Sequence, residues 1–181
     1  CIAAQDFANV YPIDSKNLST GIGHLVIDAA LMAQQGLEPL DIKKIIEEKV
    51  DKVETSFVIN TLKYLHKGGR CSAVAALGAN LLQLKPCIEV VNGKMDVGKK
   101  YRGSFEKAIR QYVNDRLKGR EDIDYKRIFV THTCTNNEHV EAVKKQVSEL
   151  APFDEIIETF AGCTVSNHCG PDCLGILFYR K

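Results

Sequence analysis

At 181 residues with 45% hydrophobic residues, the chain is long enough to bury a real core, as one domain or as two small ones. Lys plus Arg number 24 against 23 acids, and no tract is basic enough to leave the footprint of a nucleic-acid-binding surface, so that class is excluded. No run of about 18 apolar residues occurs, which excludes a helical membrane span and leaves only transient contact with a membrane surface.

The chain opens on Cys1-Ile2-Ala3-Ala4, with neither an initiating Met nor a secretory signal pattern. That opening reads like the interior of a longer protein, and the scattered cysteines, as reduced thiols, point to the cytoplasm. Val10-Tyr11-Pro12-Ile13 is expected to be a strand running into a loop at Asp14-Ser15. Ile22, Leu25, Val26, Ala29, Met32 and Ala33 then share one face at helical spacing, and Gly36 stops that helix. The loop before it, with two glycines and two hydroxyls, feeds a helix N-terminus suited to anions but carries no full phosphate-loop pattern. Pro39 suits the first turn of the next helix, whose apolar face is Ile42, Ile45, Ile46, Val50 and Val53. Ser56–Ile59 supplies a strand, so the order is that of an α/β unit.

Asn60–His66 reads as a short helix closed by Lys67-Gly68-Gly69-Arg70, and Ser72 can cap a buried helix over Ala73–Leu82. Arg70 follows the double glycine as either a solvated arginine or a guanidinium held out to clamp a phosphate or carboxylate. Cys87–Val91 and Lys94–Val97 flank Asn92-Gly93, a strong hairpin signal, so the second half is expected to be antiparallel. Lys99, Lys100 and Arg102 follow as a small basic cluster, a solvated edge or a partner-facing one. Ser104 opens a helix with an apolar face of Phe105, Ala108, Ile109, Tyr112, Val113 and Leu117, and Lys118–Tyr125 is a polar loop. Arg127–Thr131 is a strand that delivers His132, and Thr135 with Glu138 forms a capping box for a helix ending at Leu150. Glu155–Phe160 and Leu174–Tyr179 are the last strands. Between them Cys163–Gly175 reads either as a tight turn whose histidine merely caps a neighbour or as turn residues aimed at a cleft.

Seven cysteines (1, 71, 87, 134, 163, 169 and 173) are scattered as expected of reduced thiols. Cys163, Cys169, Cys173 and His168 invite a zinc reading, but the C-x5-C-x3-C spacing lacks a paired knuckle, so no metal is expected. Neither a nucleophile–base–orienter set nor a Gly-x-Ser-x-Gly elbow is evident. The residues alone thus give an α/β-plus-antiparallel protein with polar turns facing a cleft, short of a function.

Several ordered motifs say more. Asp14-Ser15 with Ser19-x-Gly21-x-Gly23, then Thr61-Leu62-x-Tyr64-Leu65-x-Lys67-Gly68-Gly69-Arg70-x-Ser72, resemble signatures of the DegV family of bacterial lipid-binding proteins. Lys85-Pro86, Asn92-Gly93, Arg102-Gly103 and His168-x-Gly170-Pro171-x3-Gly175 follow in the family's order, so the resemblance runs over essentially the whole chain. It implies a two-domain α/β fold: a first domain with a parallel sheet, and a second with an antiparallel sheet plus helices. Residues 1–55 would be the C-terminal part of the first domain and 56–181 the second, with about a hundred residues of a relative lying ahead of Cys1.

The resemblance further implies a long-chain fatty acid held between the domains and no other cofactor. The protein would be a carrier rather than an enzyme, presenting the carboxylate to an ATP-dependent fatty acid kinase for acyl-phosphate formation. His168, with Gly170 beside it, would hold the carboxylate, and Arg70 and Arg102 would face the partner. The competing reading is a self-sufficient small-molecule kinase related to dihydroxyacetone kinases. One departure is Asp172, where the family commonly has glycine, which bears on the turn after Pro171.

Overall fold

The computed structural model describes residues 2–69 and 84–181. Arg70 and the helix expected over Ala73–Leu82 lie outside the described residues. Six strands build one sheet: β1 (Val53–Ile59), β2 (Leu84–Val91), β3 (Lys94–Arg102), β4 (Ile123–His132), β5 (Glu155–Phe160) and β6 (Cys173–Arg180), in the order β3-β2-β1-β6-β4-β5. The β2–β3 hairpin turns on Asn92 and Gly93 with φ of 50° and 76°, the positive pair such a two-residue loop demands. Every pairing is antiparallel except β4 with β5. That parallel pair makes the largely antiparallel sheet a mixed one, and it follows from the helix that separates the two strands in a crossover connection. The expected domain boundary at residue 55 falls inside β1.

Side chains alternate across the sheet, so each strand serves two faces. One face carries Val58, Cys87, Ile128, Val130, Leu174, Ile176 and Phe178. Against it pack α4 (Phe105–Leu117) and α5 (Asn137–Leu150), forming one continuous core. All six residues of the expected α4 stripe are buried. At about 1.5–3 kcal/mol for each large apolar side chain buried, that stripe alone fixes the helix to the sheet. Ser104 caps α4 as expected, accepting a hydrogen bond from Lys107 N. The cap of α5 is Asn136, not Thr135: its side chain accepts from Glu138 N at 2.9 Å, so the helix starts one residue later than the capping-box pattern places it. Tyr112 pins this face. Its hydroxyl donates to Ser56 O at 2.7 Å and accepts from Ile176 N at 3.0 Å, bridging β1 and β6.

The opposite face is covered in two patches. At one end α1 (Ser19–Gln34) and α2 (Pro39–Lys49) bury Leu25, Ile46 and Val50 against Val53 and Tyr179. At the other, α3 (Lys63–Gly68) and α6 (Cys163–Cys169) bury Leu65 and Cys169 against Phe57, Ile59 and Ile88. An ionic anchor ties the first patch to the sheet: buried Asp28 of α1 meets Lys49 of α2 at 2.6 Å and Arg127 of β4 at 3.4 Å. Burial pushes the Asp28 carboxyl up, but the Lys49 hydrogen bond and the Arg127 charge outweigh it and hold the group below its usual range.

Three further expectations change. Val10–Ile13 pairs with no described strand, and Val10 is exposed. The loop over Lys118–Tyr125 is shorter than expected, since β4 already begins at Ile123, which is fully buried. The turn expected over Cys163–Gly175 begins as a helix. No glycine or proline interrupts 163–169, while Gly162 and Gly170 bracket the segment as its caps.

Candidate functional site

The carboxyl ends of β1, β3 and β4 and the amino end of β6 share one rim of the sheet, and the expected site residues gather there. Thr133, just past β4, organises the turn between α6 and β6. Its hydroxyl donates to Gly170 O at 2.6 Å and accepts from Cys173 N at 3.0 Å. Gly170 takes φ +74°, and a side chain there would collide with the Tyr64 ring of α3, so two independent constraints require glycine. Asp172 takes φ +55°, a left-handed conformation that suits the glycine of the family pattern. Asn60 holds it: Asn60 N donates to Asp172 O at 3.0 Å and Asn60 Nδ2 to Asp172 Oδ2 at 3.3 Å. The departure at 172 therefore keeps the turn and adds a tie to the end of β1.

His168 stands in the last turn of α6. Its ring lies so close over Gly68 of α3 that any Cβ at 68 would collide with Nδ1, and Nδ1 is buried without a hydrogen-bond partner. His168 and Gly170 are thus brought together, each against α3. Arg102 ends β3, exposed on the same rim. It lies three strands from β6, roughly 14 Å at the usual strand spacing. With Lys99, Lys100 and Arg110 it lines an open groove beside α4.

Behind α6 the two patches on this face do not meet among the described residues. The gap between them is floored by Thr55, Phe57, Gly175, Leu177 and Thr131, and walled by Leu18 and Ser19 on one side and Val165 and Cys169 on the other. Val165 and Cys169 are one helical turn apart, so α6 shows its apolar side to the gap and carries His168 on the side facing α3. The cavity enclosed is only about 30 Å³, far below the several hundred Å³ of a closed ligand pocket. It is the floor of a groove.

Polar groups at that floor were not singled out by the sequence. Thr20 and Thr131 hydroxyls meet at 2.5 Å and Thr131 and Thr159 at 2.8 Å, a ladder from α1 across β4 to β5. Thr55 Oγ1 is buried with no partner, although a threonine hydroxyl both donates and accepts. The alternation on β1, which puts Thr55 and Phe57 on one face, was the available signal. Two other histidines, His24 and His132, are structural by their contacts. His24 is fully buried, donates Nε2–H to Leu177 O at 2.9 Å, and is packed between Phe129 and Tyr179. His132 Nδ1 accepts from Cys134 N at 3.2 Å, and its Nε2 lies 3.5 Å from Glu158 Oε1. Among the described residues no cluster of His, Cys, Asp and Glu is arranged to hold a metal ion, and no helix is long and apolar enough to cross a membrane.

Comparison with known proteins places this geometry. A family model described as an uncharacterised protein of the DegV family matches residues 1–181. A DegV domain-containing protein from Caldanaerobacter subterraneus subsp. tengcongensis is 30% identical over 171 residues, covering 93% of this chain and 60% of its own. Among solved structures, a DegV family protein from Thermus thermophilus, described as fatty-acid-binding, is 25% identical with a TM-score of 0.84, covering 99% of this chain and 64% of its own. The fatty acid kinase B3 protein of Streptococcus pneumoniae, loaded with linoleic acid, shares the fold at 19% identity and a TM-score of 0.84, over 99% of this chain and 64% of its own. The chain spans about three fifths of the length of these relatives.

Proposed function

The chain belongs to the DegV family, and from that premise we propose that it forms one wall of a site for a long-chain fatty acid and helps present the carboxylate to an ATP-dependent kinase partner. The observation that carries the reading is the split face of the sheet. An apolar groove floor runs between two helical patches and lies on the other side of α6 from a histidine with an unsatisfied ring nitrogen. The acyl chain lies along Phe57, Leu177 and Val165. The family pattern assigns the carboxylate, which is costly to desolvate unless it is hydrogen-bonded, to His168 and to hydroxyl residues of the first domain. Gly170, clamped under Tyr64, sets the angle at which α6 delivers His168. Residues 1–55 contribute α1 and α2 as the end of a first domain whose other part supplies the facing wall.

In this scheme the ligand's own carboxylate attacks the phosphoryl donor, so the carrier contributes positioning and charge and no nucleophile. Arg102 faces the partner, with Arg70 assigned the same role on the sequence pattern. Extraction and mass spectrometry of lipid from the purified protein tests the reading. His168→Ala is expected to lower fatty acid retention about tenfold or more, the loss of one hydrogen bond to a charged group. Arg102→Glu is expected to keep the lipid while slowing acyl-phosphate formation with the kinase and ATP. Full retention and phosphorylation by His168→Ala would remove that residue from the site.

A further inference from the structure

We propose that Cys169 and Cys173 form an oxidisable dithiol, which a hydroperoxide entering the apolar gap converts to a disulfide. The two residues are the last of α6 and the first of β6, separated only by Gly170, Pro171 and Asp172. Both are buried in the cluster with Phe57, Ile59, Leu65 and Ile88, and both line the gap. The turn between them is held from outside by Thr133, Asn60 and Tyr64, so the pair is fixed in place rather than tethered by a loose loop. The thiols also differ. The Cys173 thiol hydrogen-bonds to the Cys169 sulfur, and this outweighs burial and lowers the Cys169 thiol. The same hydrogen bond and burial push Cys173 well up. Cys134, whose thiol donates to Cys173 O at 3.6 Å, is pushed by burial to about 12 and stays a bystander. Both sulfurs sit in one buried cluster across a short, held turn, as a dithiol–disulfide pair requires.

The chemistry is balanced by the two thiols and the hydroperoxide alone. The Cys169 thiolate attacks the outer oxygen of R–O–O–H. An S–O bond forms as the O–O bond breaks, and the leaving alkoxide takes the Cys169 proton to become the alcohol, or water when R is hydrogen. The Cys173 sulfur then attacks the sulfenic sulfur and expels hydroxide, which leaves as water with the Cys173 proton. Two thiols are oxidised, one hydroperoxide is reduced, and a dithiol reductant restores the pair. Nothing in this step depends on fatty acid binding, since any hydroperoxide small enough to reach the gap serves.

Cys163, exposed at the other end of α6, supplies the control. In the full chain carrying Cys163→Ser, a substitution that touches no buried thiol, the tryptic peptide 146–180 holds only Cys169 and Cys173. Treated with one equivalent of cumene hydroperoxide or of hydrogen peroxide, that peptide is expected to lose two hydrogens and regain them with dithiothreitol. In the further variant Cys173→Ser, dimedone is expected to trap a sulfenic acid at Cys169. The proposal is overturned if the peptide stays reduced under both oxidants while other cysteines oxidise, or if dimedone adds to Cys173 in a Cys169→Ser protein.

Discussion

The two faces of the sheet use the same strands and end in opposite states. On the α4–α5 side the inward residues of the central strands join one continuous core with both helices, and at its centre Tyr112 Oη and Ser56 Oγ are paired, although His139 Nδ1 and Gln146 Oε1 of α5 are buried without partners. On the other side, among the described residues, two separate helical patches leave Thr55 Oγ1 and His168 Nδ1 without partners and a strip between them that neither patch covers. Among the described residues one face is a continuous core and the other is divided.

The widest gap in energy between the faces is expected from truncation. Ile109→Ala, in the sealed core, should cost about 2–5 kcal/mol in urea denaturation. Leu18→Ala, at the partly exposed wall of the gap, should cost about 1 kcal/mol. Equal costs would break the comparison. Thr55→Val sharpens it further: replacing an unpaired buried hydroxyl with a methyl group is expected to leave stability unchanged or raise it by about 1 kcal/mol. A clear loss of stability in Thr55→Val would mean that the hydroxyl serves the fold.

The smallest expected effect concerns pH and the anchored patch. Burial lowers the His24 pKa from the usual 6.5. The unfolded chain therefore takes up a proton near pH 6.5 that the folded chain still refuses. The contribution of His24 to stability is complete above that pH and is lost as pH falls through the window below it, down to the folded value. Melting curves between about pH 7 and 5 should show this decline, and His24→Gln, which can keep the bond to Leu177 O, should flatten it. An unchanged slope in the variant would mean that another group carries the dependence.

How much of this was legible in the sequence differs between the faces in the same way. The α4 stripe was readable residue by residue, because an amphipathic helix on a closed core obeys its period, and the Asn92-Gly93 hairpin follows from backbone sterics. The family pattern identified His168 and Gly170 as a pair, and the structure sets both against α3. Three features were not legible. The α6 helix was hidden by the Gly-Pro turn that follows it, and the unpaired Val10–Ile13 segment by a propensity that only a neighbouring strand could have realised. The gap was hidden because it is made by what two helical patches fail to cover. Such an absence is a property of tertiary packing, and no local residue pattern encodes it.

The most direct measurement fills the gap. Val165→Trp places a large side chain into the strip between the patches without touching His168 or the sealed core. The account predicts that the purified variant keeps a melting temperature within a few degrees of the parent while its extractable fatty acid falls severalfold or more. A variant that folds normally and retains the parent's full complement of fatty acid would contradict it.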